Sequence, residues 1–199
     1  MSTQEFLDRL AADPEFQARK KAFEAARQVE ADLNAAAEKP IVEELNKIGV
    51  SVQSVWDLVN TSQAYTEALP ILLRHLQGNY PERVREAIAR AMSVPESRFA
   101  WATLVMLFRR EFGGEPYGIK WALGGALAAA ADDEVMPDLL ALFQERRHGK
   151  NRVVFVEALA HSRLGNARLA LEAGRDDPDV SREITRVLDK RKKKKGLGR

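Results

Sequence analysis

The chain contains no cysteine among its 199 residues, which excludes disulfides, thiol nucleophiles and cysteine-ligated metal sites. Histidine is also scarce, with three residues that share no motif. No glycine-rich phosphate loop, Gly-x-Ser-x-Gly nucleophile motif or zinc-ligand signature occurs. These absences favour a protein that has no catalytic residues and needs no metal and no cofactor.

Long apolar segments are absent as well. No apolar run is long enough to span a bilayer, so we expect no membrane insertion. Ser2 and Glu5 have the spacing of a helix-capping box, which favours a helix start over a signal peptide. Together with the missing cysteine, these features lead us to expect a cytoplasmic protein.

Basic residues are concentrated at the C-terminus. The formal net charge is +2, but residues 190–199 carry seven of the 31 basic residues, leaving 24 basic against 29 acidic residues in the body. A body of this balance does not favour nucleic acid as a partner. We expect 190–199 to be a basic disordered tail, and attraction to nucleic acid or a membrane surface remains open for it.

Alanine, leucine, glutamate and arginine dominate the sequence, and no alternating β-strand pattern occurs, so we expect an all-α fold. Residues 67–92 read as a helical hairpin. Pro70 fits the first turn of its first helix, Gly78 is predicted to end that helix as a left-handed cap, and Pro81 opens the second helix. The apolar stripe of the second helix is Val84, Ala87, Ile88, Ala91 and Met92.

This hairpin pattern recurs along the chain. Met136-Pro137 begins a second copy of the first helix, and the stripe of the second helix recurs from Ile119, Asn151 and Val180. The period of roughly 30–35 residues is typical of helical repeats, which bury their apolar faces by stacking. The recurring stripes are Ile119, Ala122, Leu123, Ala126 and Leu127; Asn151, Val154, Phe155, Ala158 and Leu159; and Val180, Glu183, Ile184, Val187 and Leu188.

A proline in the first helix, a short turn and a second helix that opens with Val84-Arg85 together resemble a HEAT repeat. The resemblance covers about residues 61–189. It implies a right-handed α-α superhelix, a HEAT-like solenoid of about four hairpins, whose second helices line a concave face. Only the turn at 176–179 carries the aspartate that HEAT turns usually have.

Residues 1–60 are predicted to form an irregular helical cap. Asp13-Pro14 starts a long helix that we expect to run to about Glu38 and to end before Pro40. Its narrow apolar stripe favours a surface helix that lies along the array. The alternatives are a partner-binding or self-associating helix, or one that fills the groove.

Two short helices are expected to complete this region. The first is Ile41–Ile48, stopped by Gly49, and the second is capped by Ser51 and ends at Asn60.

Positions outside the stripe of each second helix are candidate surface residues. Arg85, Lys120 and Arg152 occupy one register there, and we call them the basic ladder. One interpretation is structural, in which each side chain binds neighbouring turn carbonyls or acids. The other is capture of carboxylates or phosphates from a ligand. Both remain open at the level of sequence.

The same alignment predicts an apolar patch, with Trp121 beside Val153 and Gly124 beside Val156. Glycine inside a helix costs about 1 kcal/mol relative to alanine, so close helix packing or the approach of a bound segment is needed to offset it. An exposed tryptophan among small residues is typical of a peptide groove. The candidate binding residues are Arg85, Arg90, Lys120, Trp121, Gly124, Arg152, Val153 and Val156.

The segment Trp56-Asp57-Leu58-Val59-Asn60 is similar to the Trp-Asp-Leu-Val-Asp segment of HEAT-like alkylpurine DNA glycosylases. In that family the tryptophan and the final aspartate serve catalysis, whereas Asn60 carries no carboxylate. Glu157 and His161 are interpreted as a surface pair. The leading hypothesis is therefore a non-enzymatic adaptor that binds a protein or peptide segment. A nucleic-acid binder that uses the basic ladder and the tail is the alternative, and a glycosylase ranks last.

Overall fold

The computed structural model describes residues 2–113 and 117–196; for Phe6, Leu7, Asp8, Leu10 and 191–196 it describes the backbone alone. All regular structure in these residues is helical, which confirms the predicted all-α class. The α-helices are α1 Thr3–Ala12, α2 Pro14–Lys47, α3 Trp56–Val59, α4 Leu69–Leu76, α5 Glu82–Ala91, α6 Trp101–Arg110, α7 Ile119–Ala130, α8 Met136–Gln144, α9 Val156–His161, α10 Gly165–Ala173 and α11 Ser181–Gly196. Four 3₁₀ segments among the described residues are Thr66–Ala68, Pro95–Ala100, Arg146–Phe155 and Gly174–Asp176.

The centre of the core is the contact between α5 and α7, which α6 and the 3₁₀ segment Arg146–Phe155 flank. The predicted stripes of both helices are buried, from Val84 to Met92 on α5 and from Ile119 to Leu127 on α7. Removing these side chains from water stabilises the fold by about 25 cal/mol per Å² of apolar surface. The 3.6-residue period therefore predicted the core-facing side of these two helices.

The start of the chain follows its capping signals. Ser2 and Glu5 form the predicted capping box, in which the Ser2 N–H donates to Glu5 Oε2 at 2.7 Å and the Glu5 N–H donates to Ser2 Oγ at 3.2 Å. The Asp13 carboxylate accepts the N–H groups of Glu15 and Phe16, which confirms it as the cap of α2.

The predicted break at Pro40 is wrong, because α2 continues through it to Lys47. A proline inside a helix removes one N–H, which leaves the carbonyl of Ala36 without its usual partner. Ala36 and Pro40 are both exposed, so water can satisfy that carbonyl. Burial of Ile41 and Leu45 against the body holds the continuation of the helix in place.

The three predicted capping residues Gly49, Gly78 and Ser51 have different outcomes. Gly49 has φ of +87° after α2, as expected of a left-handed cap. Gly78 does not adopt positive φ; a Cβ there would lie 2.8 Å from the Tyr80 ring, so glycine is required by close approach rather than by a left-handed turn. The Ser51 cap is also wrong, because α3 begins at Trp56 and the carboxylate of Asp57 accepts the N–H groups that precede it.

The sequence patterns overlooked two helices. The apolar positions of α6 are Trp101, Leu104, Leu107 and Phe108, and all four are buried. The inward residues of α10 are Ala167 and Leu171. None of the helices in 2–113 and 117–196 combines the length and the apolar character that crossing a membrane requires.

Gly124 and Gly125 are neighbours in α7 with different surroundings, which makes them a matched pair. A Cβ on Gly124 would lie 2.7 Å from Val154 Cγ2 and 3.3 Å from the Phe108 ring, whereas one on Gly125 meets Ser93 Oγ at 3.4 Å. Because valine is stiff at χ1, we expect Gly124→Ala to lower the free energy of unfolding by about 1–3 kcal/mol. Gly125→Ala should raise it by about 0.5–1 kcal/mol through helix propensity.

Urea denaturation of the two variants and the wild type measures these changes. Equal stability of the two alanine variants would contradict the close packing of α7 against the segment around Val154.

Candidate functional site

Two residues of the basic ladder bind the segment that follows α6. The guanidinium of Arg85 forms an ion pair with the carboxylate of Glu111, and Lys120 Nζ donates to the Glu111 carbonyl at 2.8 Å. Nearby, Asn151 Nδ2 donates to the carbonyl of Gly113 at 3.0 Å. Side chains from three helical segments therefore satisfy polar groups at the end of one helix.

The third residue of the basic ladder, Arg152, is 2% exposed. Its guanidinium lies 2.9 Å from Asp177 Oδ2 and 3.4 Å from Asp179 Oδ2, and its Nε donates to the Gly149 carbonyl at 3.0 Å. A further donation reaches the Phe143 carbonyl at 3.4 Å. Asp177 and Asp179 belong to the one turn that carries the expected aspartates.

The basic ladder has the geometry of a structural element. The charges of Arg85 and Arg152 are paired with carboxylates, and the Lys120 ammonium is buried against a carbonyl. These side chains donate hydrogen bonds to acceptors within the chain, so they do not present open cations to a ligand. Arg90 is engaged as well, with its Nε 2.8 Å from Glu86 Oε1.

The predicted apolar patch needs a correction at two positions. Val156 is 0% exposed and belongs to the core rather than to the surface. Gly124 is also buried, and its neighbour is Val154 instead of Val156. Val153 is partly buried and packs against the core. The reason is that 146–155 is a 3₁₀ segment with a non-helical Gly149 (φ 54°, ψ −139°), so the α-helical register does not carry through it.

Trp121 is the part of the patch that stays partly exposed. Its ring stacks on Tyr117, with ring centroids 5.4 Å apart and an interplanar angle of 33°. Tyr117 is 79% exposed. We call these two residues the aromatic pair. Sequence reasoning missed Tyr117, because it lies before the start of α7, where helical spacing does not link it to Trp121.

Tyr117 has φ of 67° and is the sole non-glycine residue with positive φ in the described part of the chain. This conformation costs an L-residue about 1–2 kcal/mol. Lys120, next to Trp121, anchors the base of the same loop through Glu111. Tyr117 therefore lies in a loop whose base Lys120 anchors. Its ring contacts Trp121 and is otherwise exposed to solvent.

A buried polar group, the imidazole of His148, lies near Lys120 and Phe108. The His148 imidazole is 1% exposed and packs 4.7 Å from the Phe108 ring. Its Nε2 lies 3.1 Å from Glu145 Oε2, while Nδ1 has no hydrogen-bond partner among the described residues. Burial, aided by the nearby charge of Lys120, lowers the pKa of His148.

The pKa values of Glu145 and Lys120, the charged residues near His148, are shifted as well. Burial raises the pKa of Glu145, but hydrogen bonds from Arg147 and Arg109 outweigh it, so the net change lowers this pKa. Burial, followed by the charge of Arg147, lowers the pKa of Lys120. His148 and Glu145 are therefore held by packing and by hydrogen bonds within the body.

The described residues contain no cluster of three or more histidine, aspartate or glutamate side chains placed to hold a metal ion. His161 and Glu157 are both exposed; Nδ1 of His161 lies 2.8 Å from the Glu157 carbonyl and 3.8 Å from Glu157 Oε1.

In the segment that resembles the glycosylases, the Arg83 guanidinium covers the Trp56 ring at 4.1 Å and that of Arg90 lies at 6.0 Å. Asn60 is exposed at the end of α3. Asp57 accepts the N–H groups of Gln53 and Ser54, so its carboxylate binds the turn that precedes α3. Compared with family models, curated proteins and solved structures, the chain matches none.

Replacing Arg152 tests whether the buried ion pair stabilises the fold. Arg152→Met leaves the buried Asp177 carboxylate with the exposed Arg146, 3.8 Å away, as its remaining cation, so we expect a loss of up to about 3–5 kcal/mol in unfolding free energy. Arg186→Met removes an exposed pair with Glu183 and should cost about 0–1 kcal/mol. Adding Asp177→Asn to Arg152→Met should recover part of the loss, because no buried charge is then left unpaired. A change equal to that of Arg186→Met would show that Arg152 is not a structural residue.

The lowered pKa of His148 makes stability depend on pH. Below about 6.5 the unfolded chain binds a proton at this residue that the native state does not, so stability falls as the pH falls. The slope reaches at most about 1.4 kcal/mol per pH unit. Between pH 7 and pH 5, His148→Gln should lose less stability than the wild type in urea denaturation. His161→Gln, at an exposed position, is the control. A wild-type slope in the His148→Gln protein would contradict this assignment.

Proposed function

We propose that this chain is a non-enzymatic α-solenoid adaptor that binds a segment of a protein partner. The aromatic pair is its anchor, and an apolar side chain of the partner packs on the rings of Tyr117 and Trp121. Aromatic residues dominate the energetics of protein interfaces because they bury a large area and lose little side-chain entropy.

The arrangement of the basic ladder supports the HEAT-like part of this proposal. Arg85 and Lys120 both bind the turn after α6, and Arg152 binds the turn before α11. Donors that repeat at one register and satisfy turns along the chain suit a stack of hairpins. The organisation into a cap at 1–60, an array at 61–189 and a tail at 190–199 stays part of the proposal.

The observation that carries the proposal is the conformation of Tyr117. A side chain of this size, 79% exposed and with positive φ, costs folding free energy and contributes little to the core. Strain of this kind is concentrated at binding and catalytic sites. Because no catalytic constellation lies beside it among the described residues, we infer a binding role.

The recognition of acidic groups by the basic ladder is not part of this proposal, since its side chains are already engaged. The same engagement limits the nucleic-acid alternative to residues 190–199. The glycosylase alternative lacks a carboxylate at Asn60, and Arg83 covers the Trp56 ring. An adaptor is therefore the function that the geometry supports best.

Quantitative pull-down from lysate of the source organism tests the adaptor. Wild type, Tyr117→Ala and Trp121→Ala are compared, with Leu169→Ala as the control at a 68% exposed leucine on α10. A partner that is held by the aromatic pair should lose about 30-fold or more in affinity with Trp121→Ala, as hot-spot residues do. Leu169→Ala should retain it.

A second readout reports the site directly. With Trp56→Phe and Trp101→Phe, Trp121 is the single tryptophan, and the purified partner should shift its emission and protect it from acrylamide. Equal partner recovery by all four proteins would refute the proposal. Capture of DNA or RNA that instead disappears when 190–199 is removed, and that weakens steeply with salt, would favour the nucleic-acid alternative.

A further inference from the structure

The first part of α2 is a helix without a covering surface in the single chain. Every residue from 17 to 33 is exposed, over a length of about 25 Å. Phe23, Val29 and Leu33 are 63%, 60% and 64% exposed. The helix joins the body only further along, where Ile41 and Leu45 are buried.

A helix in water is stabilised chiefly by packing of an apolar face. Five apolar residues of this segment recur at steps of four and three, the spacing of a coiled-coil seam, and Phe23 lies beside this seam. The seam is Ala22, Ala26, Val29, Leu33 and Ala36. The small alanines allow a second helix to approach closely, and the larger Val29 and Leu33 supply apolar area.

Charge divides the exposed helix into two halves of opposite sign. Residues 17–27 contain four basic residues and one acidic residue, for a net charge of +3. Residues 28–38 contain three acidic residues and no basic one, for a net charge of −3. Glu38 accepts hydrogen bonds from Ser54 and Val55 of the body, so Glu30 and Asp32 are the two acidic residues of the exposed part. The charged residues are Arg19, Lys20, Lys21, Glu24 and Arg27 in the basic half, and Glu30, Asp32 and Glu38 in the acidic half.

We infer that α2 pairs in antiparallel orientation with α2 of a second copy, forming a two-fold symmetric homodimer. In this orientation the basic half of each copy faces the acidic half of the other. A parallel pair would place like charges together along the whole segment, which is unfavourable. Charge complementarity therefore selects both the partner, a second copy of this chain, and the direction.

The seam also fixes the register. In the antiparallel pair a seam residue faces a different seam residue of the second copy. Ala22 faces Leu33 of the second copy, and Ala26 faces its Val29. Each large residue then lies against a small one, which allows close contact along the pair. The seam shares no residue with the aromatic pair, so variants of the seam test the dimer separately from the proposed adaptor function.

Sedimentation equilibrium measures the association. The wild type should give twice the 22.3 kDa of one chain, with dissociation that increases with salt. Lys20→Glu/Lys21→Glu makes both halves acidic, and Glu30→Lys/Asp32→Lys makes both halves basic. Each pair should weaken the dimer by at least about tenfold. The four changes together give the two halves charges of opposite sign again and should restore the affinity of the dimer.

Orientation is tested with cysteines, because the chain has none of its own. In the antiparallel register, oxidation of a mixture of Ala22→Cys and Leu33→Cys chains forms the mixed disulfide, whereas neither variant alone forms one. All of these positions are exposed, so the single chain should fold normally, and circular dichroism checks this.

Three results would overturn the inference. These are a wild type that stays monomeric at concentrations up to about 1 mM, a four-change variant no tighter than its parents, and an Ala22→Cys chain that cross-links with itself.

Discussion

The carbonyl groups at the ends of the helices impose the constraint on which the described fold depends. A helix leaves its last carbonyls without helical partners, and these must find donors when they are buried. In this chain Lys120, Asn151 and Arg152 supply donors to Glu111, Gly113, Phe143 and Gly149. Without these donations the turns after α6 and α8 would hold unsatisfied carbonyls beside the core. Buried polar side chains thus bind the ends of α6 and α8 to the segments that follow them.

The same constraint explains which predictions from sequence were correct. The apolar stripes of α5 and α7 depend only on a local period, so the buried residues of both helices could be read from the sequence. For the basic ladder the sequence left two alternatives open, because basic residues that bind turns and basic residues that bind a ligand recur at the same sequence spacing. Which alternative holds depends on whether a carbonyl or carboxylate of the chain lies within hydrogen-bond distance of the basic side chain, and the path of the chain between helices decides this.

The remaining misses have local physical causes. Val156 follows a 3₁₀ segment, which turns by about 120° per residue rather than 100°, so a register copied from α5 does not survive to α9. Pro40 signals a helix end, but two buried side chains beyond it outweigh one lost hydrogen bond. Tyr117 lies in a loop with a conformation unusual for its residue type, and no periodic pattern predicts such a position. These three positions are where rules based on local sequence fail.

Pro40 has a consequence for the dynamics of α2. It removes one backbone hydrogen bond close to the boundary between the exposed part of the helix and the part packed on the body. Helices divide at such points into units that open separately, and the unit with fewer buried contacts opens at lower free energy. In a lone chain the amide protons before this boundary therefore exchange with solvent far faster than those at Ile41 and Leu45. The long helix is continuous in geometry and divided in stability.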